Sequence, residues 1–459
     1  MTPRFADAGA LARVLTIVTA EGLADWLLAQ AAEVRAWVVG SGFVAGLGEV
    51  RLLPGPQGVA AAVAGLGTAA ARGRLRFGLA RALAGLPGGA WRLAGELTQS
   101  QRDEAMLGSL LAQYRFERYR SGPVVEPVML LPEGVDAARL LALAEGEFLT
   151  RDLINTPASD MGPDELEAAF LGLAARFGAV ATVVRGEDLL TQNFPMIHAV
   201  GRASPREPRL LELRWGTAGP ALTLVGKGVC FDTGGLDIKG AANMQLMKKD
   251  MGGAATVIGL AQMIMALGLK LRLRVLVPAV ENSISGNALR PRDILTSRMG
   301  LTVEVNDTDA EGRLVLADAL AYAGEEACDL VVSMATLTGA ARVAVGPDLA
   351  PYYCDDAGVV AALEAGALAG FDPVWRLPFH DAYESVIEPG IADLDNAPGF
   401  GFAGSITAAL FLRRFVAGPR YLHFDIYGHT PVDMPARPKG GVGQGARAVL
   451  LGLPGMLGL

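Results

Sequence analysis

Apolar runs and helical periodicities alternate along most of this chain. Beyond about residue 150, apolar runs at Ala221–Val225, Leu271–Val280, Leu301–Val305, Leu330–Met334 and Tyr421–Ile426 predict strands, and Ala254–Ala266, Gly312–Glu325 and Ile406–Val416 carry helical patterns. Such alternation predicts an α/β domain with a mainly parallel sheet covered by helices on both faces. Ligands in such domains gather at the carboxyl ends of the strands. The amino-terminal part of the chain, up to the neighbourhood of Leu130, reads differently. It is rich in Ala, Gly, Leu and Arg, with short apolar runs such as Ala36–Val39 and helical stretches such as Ser100–Tyr119, but no His pair, acidic cluster or nucleophile motif. The run VVEPVMLLPEG at Val124–Gly134 predicts an extended segment closed by a Pro-containing turn, followed by a helix from Asp136 to about Asn155 that Pro157 ends. Asp160–Asp164 reads as a new start, with Asp164 able to cap the next helix. The expected organisation is a smaller amino-terminal α/β domain over residues 1–132, a connecting helix within 133–160 and a larger α/β domain over 161–459.

Composition narrows the function. The 459 residues are 51% apolar and 19% charged, ample for packed cores and incompatible with disorder, collagen or a disulfide scaffold. A net charge of −8 without a long basic run argues against nucleic acid or anionic lipid as the main partner. Three scattered cysteines, Cys230, Cys328 and Cys354, fit a reducing compartment and form no CxxC motif. Asp7 interrupts what an export signal would need as an apolar core. The uncharged stretch Met251–Leu269 approaches the roughly 20 residues of a membrane span. Its four glycines, Gln262 and the flanking Asp250 and Lys270 fit a buried helix of an α/β domain better, so no membrane partner is expected.

The positive charges are written as 34 Arg and only 6 Lys, yet four of those lysines, Lys227, Lys239, Lys248 and Lys249, fall in one short stretch. An amine that must lose its proton or act as a compact charge donor cannot be replaced by a guanidinium. Lys227 and Lys239 sit among Gly and apolar residues (VGKGVCFDTGG, LDIKGAAN), as in buried turns, whereas the adjacent Lys248 and Lys249 read as a solvated charge run. Acidic residues converge on the same stretch: Asp232 after a strand, Asp250 before a helix, and Asp309 and Glu311 in EVNDTDAEGR. Two apart, Asp309 and Glu311 project to one side of an extended chain. Several carboxylates at one sheet edge need cations, supplied either by Lys and Arg as a buried ion network or by divalent metals held mainly through oxygen. Asp250 reads equally as a simple helix N-cap. The remaining signals are bland: GVGQG at Gly441–Gly445 is a structural turn, His198, His380, His423 and His429 are scattered, and Cys230 reads as a buried thiol at a strand end.

The segments GKGVCFDTGGLDIKGAANMQLMKKDMGGAA and NDTDAEGRLVLADAL resemble, without gaps, the two signature regions of the leucyl (cytosol) aminopeptidase family M17, two-metal exopeptidases. The resemblance continues through TRDLINTPASDM, ATLTGAARVAVG, FAGSITAALFL and YLHFDIYG, and in the amino-terminal part it rests on YRFERYR at Tyr114–Arg120. It implies a macro-like amino-terminal domain and a dinuclear catalytic domain. It implies five ligands, Lys227, Asp232, Asp250, Asp309 and Glu311, for two divalent ions (Mn²⁺ or Zn²⁺). Asp232 and Glu311 would bridge the ions, Asp309 would complete one site, and Lys227 as a neutral amine with Asp250 would complete the other. Lys239 would stabilise the tetrahedral oxyanion. Arg313, with the backbone of Ala310, Gly312 and Leu337, would hold a bicarbonate ion that shuttles the proton from water to leaving amine. Met247 and Thr336 would line the pocket for the first side chain and favour a Leu-like residue. The family further implies peptide substrates, a homohexamer built as a dimer of trimers, and a cytoplasmic location.

Three positions depart from the usual signature: Asp307 where Asn is common, Gln245 where Asp is common and Thr233 where Ser is common. None removes a ligand or catalytic group, so activity is expected with a shifted metal preference or pH profile. Two competing readings remain at this stage: a non-catalytic, DNA-binding regulator on the same fold, and a metal hydrolase for a non-peptide substrate.

Overall fold

The computed structural model describes residues 2–122, 126–418 and 420–459, so Val124 and Val125 of the expected extended segment lie outside the described residues. The chain forms two compact units, Met1–Phe148 with Val432–Lys439, and Leu149–Pro431 with Gly440–Leu459.

The first unit is built on a five-stranded sheet. Strands β1 (Arg13–Thr19), β2 (Val50–Gly55), β3 (Gly58–Gly67), β4 (Gly89–Ala94) and β5 (Pro127–Met129) lie in the order β2-β3-β1-β4-β5. The β2–β3 hairpin is antiparallel and the other pairs are parallel. The apolar run Ala36–Val39 belongs to the helix Ala32–Gly40. The helix expected over Ser100–Tyr119 spans Gln99–Leu111, opened by a capping box in which Thr98 and Gln101 satisfy each other's backbone N–H. It stops early because Tyr114 leaves the helical path and is buried edge-on against Phe148, with ring centroids 5.1 Å apart.

The second unit carries the larger sheet. Its strands are β6 (Val180–Arg185), β7 (Arg209–Trp215), β8 (Ala221–Gly226), β9 (Gly228–Asp232), β10 (Arg272–Asn282), β13 (Leu330–Ala335), β14 (Ala350–Tyr353), β15 (Val374–Arg376) and β17 (Arg420–Asp425). The order is β15-β14-β17-β13-β8-β10-β7-β6, with β9 paired to the far half of β10. Parallel pairs occupy the centre, and β7 and β6 add an antiparallel edge. The central strands are continuous apolar runs because both faces are covered. Three further short strands, β11 (Ile294–Thr296), β12 (Thr302–Glu304) and β16 (Leu394–Asp395), form a sheet of their own.

Two expectations are corrected here, and one strand is found that the apolar pattern does not predict. The run Leu301–Val305 does form a strand, but β12 belongs to the three-stranded sheet, because β8 already has β13 and β10 on its two sides. Strand β7 escapes a hydropathy scan because Arg209, Glu212 and Arg214 interrupt it. Two of these charges are buried and paired, Arg209 with Glu167 at 2.5 Å and Glu212 with Arg274 at 2.8 Å. Asp164 does not cap the helix Pro163–Phe177; Gly162 holds the N-cap position, its N–H donates to Glu165 at 2.9 Å, and Asp164 faces Arg209 at 2.7 Å.

The uncharged stretch behaves as the sequence predicts. The helix Gly252–Ala266 is buried on all sides through Met265, and among the described residues no helix is long and apolar enough to cross a membrane. Its first turn touches β13 at backbone distance: a Cβ on Gly253 would lie 2.1 Å from the Met334 carbonyl oxygen. That carbonyl also accepts the Lys227 N–H at 3.0 Å, so crowding here reaches directly to a residue of the site described below. Gly253→Ala is expected to destabilise the second unit by roughly 1–3 kcal/mol, as overpacking typically does. A thermal or urea midpoint equal to that of the unmodified protein would contradict this close approach.

Candidate active site

The sheet breaks where chemistry begins. Strand β10 pairs with β8 along one half and with β9 along the other, and Lys227 is the single residue between those two strands. Its N–H is held by Met334 and its carbonyl accepts from Ala254 at 2.8 Å, so the side chain is aimed from a fixed backbone. Room for it exists because residue 312 is Gly: a Cβ there would stand 2.5 Å from Lys227 Cε. The opposite end of β9 delivers Asp232, whose Oδ1 accepts from Asn282 at 2.9 Å and from the Gly234 N–H at 2.8 Å.

Two loops are then locked together by one buried hydroxyl. Thr308 Oγ1 donates to Gly234 O at 2.6 Å and accepts from the Asp237 N–H at 2.9 Å, while the Thr308 N–H donates to Asp237 at 2.8 Å. Asn282 also donates to Thr308 O at 3.0 Å. Gly234 and Gly235 turn this loop at φ +89° and +67°, where side chains are strained. The result brings Asp309 and Glu311 beside Asp232, with one carboxylate oxygen of each lying within 4.8 Å of the others. The extended conformation expected for Asp309 and Glu311 is not what joins them. Asp309 lies in a turn, its N–H donating to Asp307 at 2.8 Å, and Glu311 stands at the N-cap of the helix Gly312–Ala323.

Asp250 completes the group from the turn Met247–Met251, and its carboxylate accepts from Thr336 Oγ1 at 2.9 Å. The N-cap reading of Asp250 fails, because Met251 occupies that position and no side chain caps the helix.

Four carboxylates therefore share the site with two ammonium groups. Lys227 Nζ lies 2.7 Å from Asp250 and 2.9 Å from Glu311, and Lys239 Nζ lies 2.9 Å from Asp232 and also contacts Asp309. Two negative charges remain uncompensated within this set. Glu311 Oε2 is buried without a hydrogen-bond partner, and Asp250 Oδ2, Asp309 Oδ1 and Glu311 Oε1 each face only a lysine ammonium. Burial and the neighbouring Asp232 push the Asp309 carboxyl up to about 6, and the same two causes, in the same order, raise Glu311 well above the usual range. Burial opposes the charge on Lys227 and Lys239, but the carboxylates win and hold both amines above the ordinary range. A protein that keeps this many anions together with too few cations fits divalent metal, and the oxygen-rich donor set fits Mn²⁺ or Zn²⁺ alike.

The cluster opens into a cavity of about 590 Å³ whose lining includes Met247, Thr336 and Lys239. Thr336 uses its hydroxyl on Asp250, so only its methyl is left to face a ligand. Arg313 faces a second cavity of about 660 Å³, which shares Asp237 and Asp307 with the first. The Arg313 side chain is buried and its Nε has no partner, and burial lowers its pKa despite Asp425 and Glu311 nearby. The Leu337 N–H, expected to help hold an anion, is directed to Asp425 at 3.1 Å, and the Ala310 N–H goes to Asp307 O at 3.2 Å. Asp425 also takes the Thr338 N–H and both the Thr338 and Ser405 hydroxyls, an arrangement the sequence did not point to.

The solvated-run reading of Lys248 and Lys249 is overturned. Lys248 donates to Asn155 O, and Lys249 is 6% exposed, over the ring of Tyr427. Of the three departures, Thr233 does a hydroxyl's work by donating to Asn282 O at 2.8 Å, and Asp307 caps its own turn at Asp309 as an Asn would. Gln245 is exposed.

Comparison with known proteins agrees with this architecture. The profile of the cytosol aminopeptidase family, catalytic domain, matches residues 148–450, and that of the M17 aminopeptidase N-terminal domain matches residues 9–132. A probable cytosol aminopeptidase of Roseiflexus castenholzii is 41% identical over 366 residues, 75% of either chain. The crystal structure of cytosol aminopeptidase from Coxiella burnetii is similar over 96% of this chain and 97% of that one, with a TM-score of 0.91 and 41% identity. The bottromycin maturation enzyme BotP, solved in complex with Mn, covers 96% of this chain and 99% of its own at a TM-score of 0.86 and 33% identity.

Titration calorimetry with Mn²⁺ checks the electrostatic argument. The protein is expected to bind the ion saturably, Glu311→Gln to remove most of that affinity, and Asn282→Ala, which releases Asp232, to weaken it roughly 10- to 100-fold. Unchanged Mn²⁺ binding in both variants would leave the cluster a plain ion network.

Proposed function

The chain belongs to the cytosol aminopeptidase family and is a metal-dependent peptidase hydrolase, and on that premise we propose that the cluster of Lys227, Asp232, Asp250, Asp309 and Glu311 is where it removes amino-terminal residues from peptides. The observation that carries this reading is the excess of buried carboxylate over lysine beside a cavity large enough for a peptide end. In it, those five residues hold two divalent ions, with Lys227 as an unprotonated amine. A metal pair supplies Lewis acidity to the scissile carbonyl and acidity to the attacking water.

The protein's own groups do the rest. Lys239 is tied to Asp232 and Asp309 and lines the cavity, and with metal held by those carboxylates its ammonium would be free to face a bound peptide. A compact cation there meets the negative oxygen that develops as the carbonyl is attacked. Arg313 offers a buried, unpartnered guanidinium edge, the geometry that grips a planar anion in bidentate fashion. Arg313 and the backbone of Ala310, Gly312 and Leu337 would hold a bicarbonate ion there, which would supply a proton acceptor for the water and a donor for the leaving amine. For Leu337 this requires its N–H to turn from Asp425 toward the anion. Met247 and the Thr336 methyl give the first side chain an apolar wall, which suits Leu and similar residues. The enzyme works in the cytoplasm as a homohexamer, a dimer of trimers, and light scattering reads that mass directly.

Protein loaded with Mn²⁺ or Zn²⁺ is expected to release leucine from leucyl amide. Lys239→Ala should lower kcat roughly 10²- to 10³-fold, the usual loss of one oxyanion donor. Arg313→Ala should abolish stimulation by added bicarbonate while Mn²⁺ still binds. Absence of leucine release from the metal-loaded protein, or a Lys239→Ala variant as fast as its parent, overturns the reading.

A further inference from the structure

We propose that the rings of Phe402, Phe400, Tyr383 and His380 form a track for the part of a peptide that follows its second residue, so that substrates with an aromatic third residue are preferred. This rests on the aminopeptidase reading above and extends it to the downstream end of the substrate, which neither the carboxylate cluster nor the pocket for the first side chain reaches.

The argument starts from a line of rings that runs from the second cavity out to solvent. Phe402 lines that cavity opposite no partner ring but Phe400, and it is 77% exposed. The Phe402 and Phe400 centroids lie 5.8 Å apart, Phe400 lies 5.3 Å from Tyr383, and Tyr383 lies 4.6 Å from His380. Tyr383 packs on the core of the second unit, whereas Phe400 and His380 are exposed. Contiguous exposed apolar surface of this kind marks a binding face more often than bare surface. The backbone holds the rings out under strain: Gly401 turns at φ +75°, and Ala403 at φ +50° takes a left-handed conformation that its Cβ disfavours. Both ends of the loop are pinned. Asn396 donates to Asp307 O at 2.7 Å and accepts the Asn306 N–H at 2.8 Å, and the Ala403 carbonyl accepts the Thr407 N–H at 3.0 Å in the first turn of the helix Gly404–Arg413. The rings are thereby fixed to the loop that carries Asp309 and Glu311.

The occupant follows from the order of the cavities. The first side chain lies on Met247 and Thr336 in one cavity, and the bond to be cut lies over the cluster. The chain beyond that bond passes Asp237 and Asp307, which both cavities share, into the second cavity. Ala340, Ala397 and Pro398 wall that cavity beside the second residue, and the residue after it meets Phe402 and Phe400. An extended peptide advances about 3.3 Å per residue, so ring steps of 4.6 to 5.8 Å stay in contact with it over several residues. Neighbouring rings are turned 77° and 58° from one another, which leaves ring faces open to an entering aromatic side chain.

The test measures leucine release from Leu-Gly-Phe and Leu-Gly-Gly by the Mn²⁺-loaded enzyme. Leu-Gly-Phe is expected to have the higher kcat/KM, by roughly 3- to 10-fold and mainly through KM, as an aromatic contact would give. Phe400→Ala and Phe402→Ala should each bring that ratio toward one, and Phe400→Trp should preserve it. The ratio separates recognition from packing, because a loop that merely loses its shape slows both peptides alike. A ratio near one in the unmodified enzyme, or one that neither alanine variant moves, overturns the track and leaves the aminopeptidase reading standing. A lower mass of Phe402→Ala in light scattering, with the ratio unmoved, would assign the rings to a contact between copies of the chain and overturn it equally. Failure to release leucine from either peptide overturns the aminopeptidase reading and this one with it.

Discussion

Mutual repulsion among four carboxylates is the constraint on which the second unit is built. Asp232, Asp250 and the pair Asp309 and Glu311 come from three separate places in the chain, and each carboxylate alone would sooner face water. Three are buried and Asp309 is half-buried, with lysines answering half of their charge, and the carboxyl groups of Asp309 and Glu311 are driven toward protonation. A buried ion network that stabilised the fold for its own sake would match its charges and satisfy its oxygens. Here Glu311 keeps an oxygen with no partner, so the arrangement makes sense as a receptacle for cations.

Much of the local architecture is the scaffold that resists this repulsion. Thr308 and Asn282 tie the glycine turn after β9 to the loop before the helix Gly312–Ala323, fixing Asp232 against Asp309 and Glu311. Glycines appear where the chain must pass closest: Gly312 beside the Lys227 side chain, Gly253 against a carbonyl of β13. On the other rim, Asp425 gathers the backbone of Leu337 and Thr338 and, through Ser405, the hydroxyl of Tyr353 at 2.7 Å. The Leu337–Thr338 loop, which lines the cavity with Lys239, is thus positioned by a buried acid from the neighbouring strand.

The lysines illustrate how one residue type divides its work by environment. Lys227 and Lys239 lie among carboxylates that hold their charge, while Lys249, on the same cavity but facing an aromatic ring, has its pKa lowered to about 8 by burial. The same short stretch of chain thereby sets two amines among carboxylates and a third against an aromatic ring.

The signature residues were legible because their chemistry is local: ligand-type side chains in glycine-rich turns next to apolar strands need no partner to be recognised, and the crowding of four of the six lysines between Lys227 and Lys249 drew attention to them. The central strands and the buried helix were legible too, since continuous apolar runs follow from burial on both faces. Strand β7 was not, because its charges are neutralised by Glu167 and Arg274, residues distant in sequence. Nor was the sheet to which β12 belongs, since strand partners are chosen by the whole topology. Lys248 and Lys249, adjacent and alike in the sequence, differ only in what packs around them. The amino-acid sequence by itself determined which ionisable groups the glycine-rich turns carry. Tertiary structure alone decided which of them are deprived of water and of partners, because burial and charge compensation belong to the three-dimensional neighbourhood and are carried by no single segment of the chain.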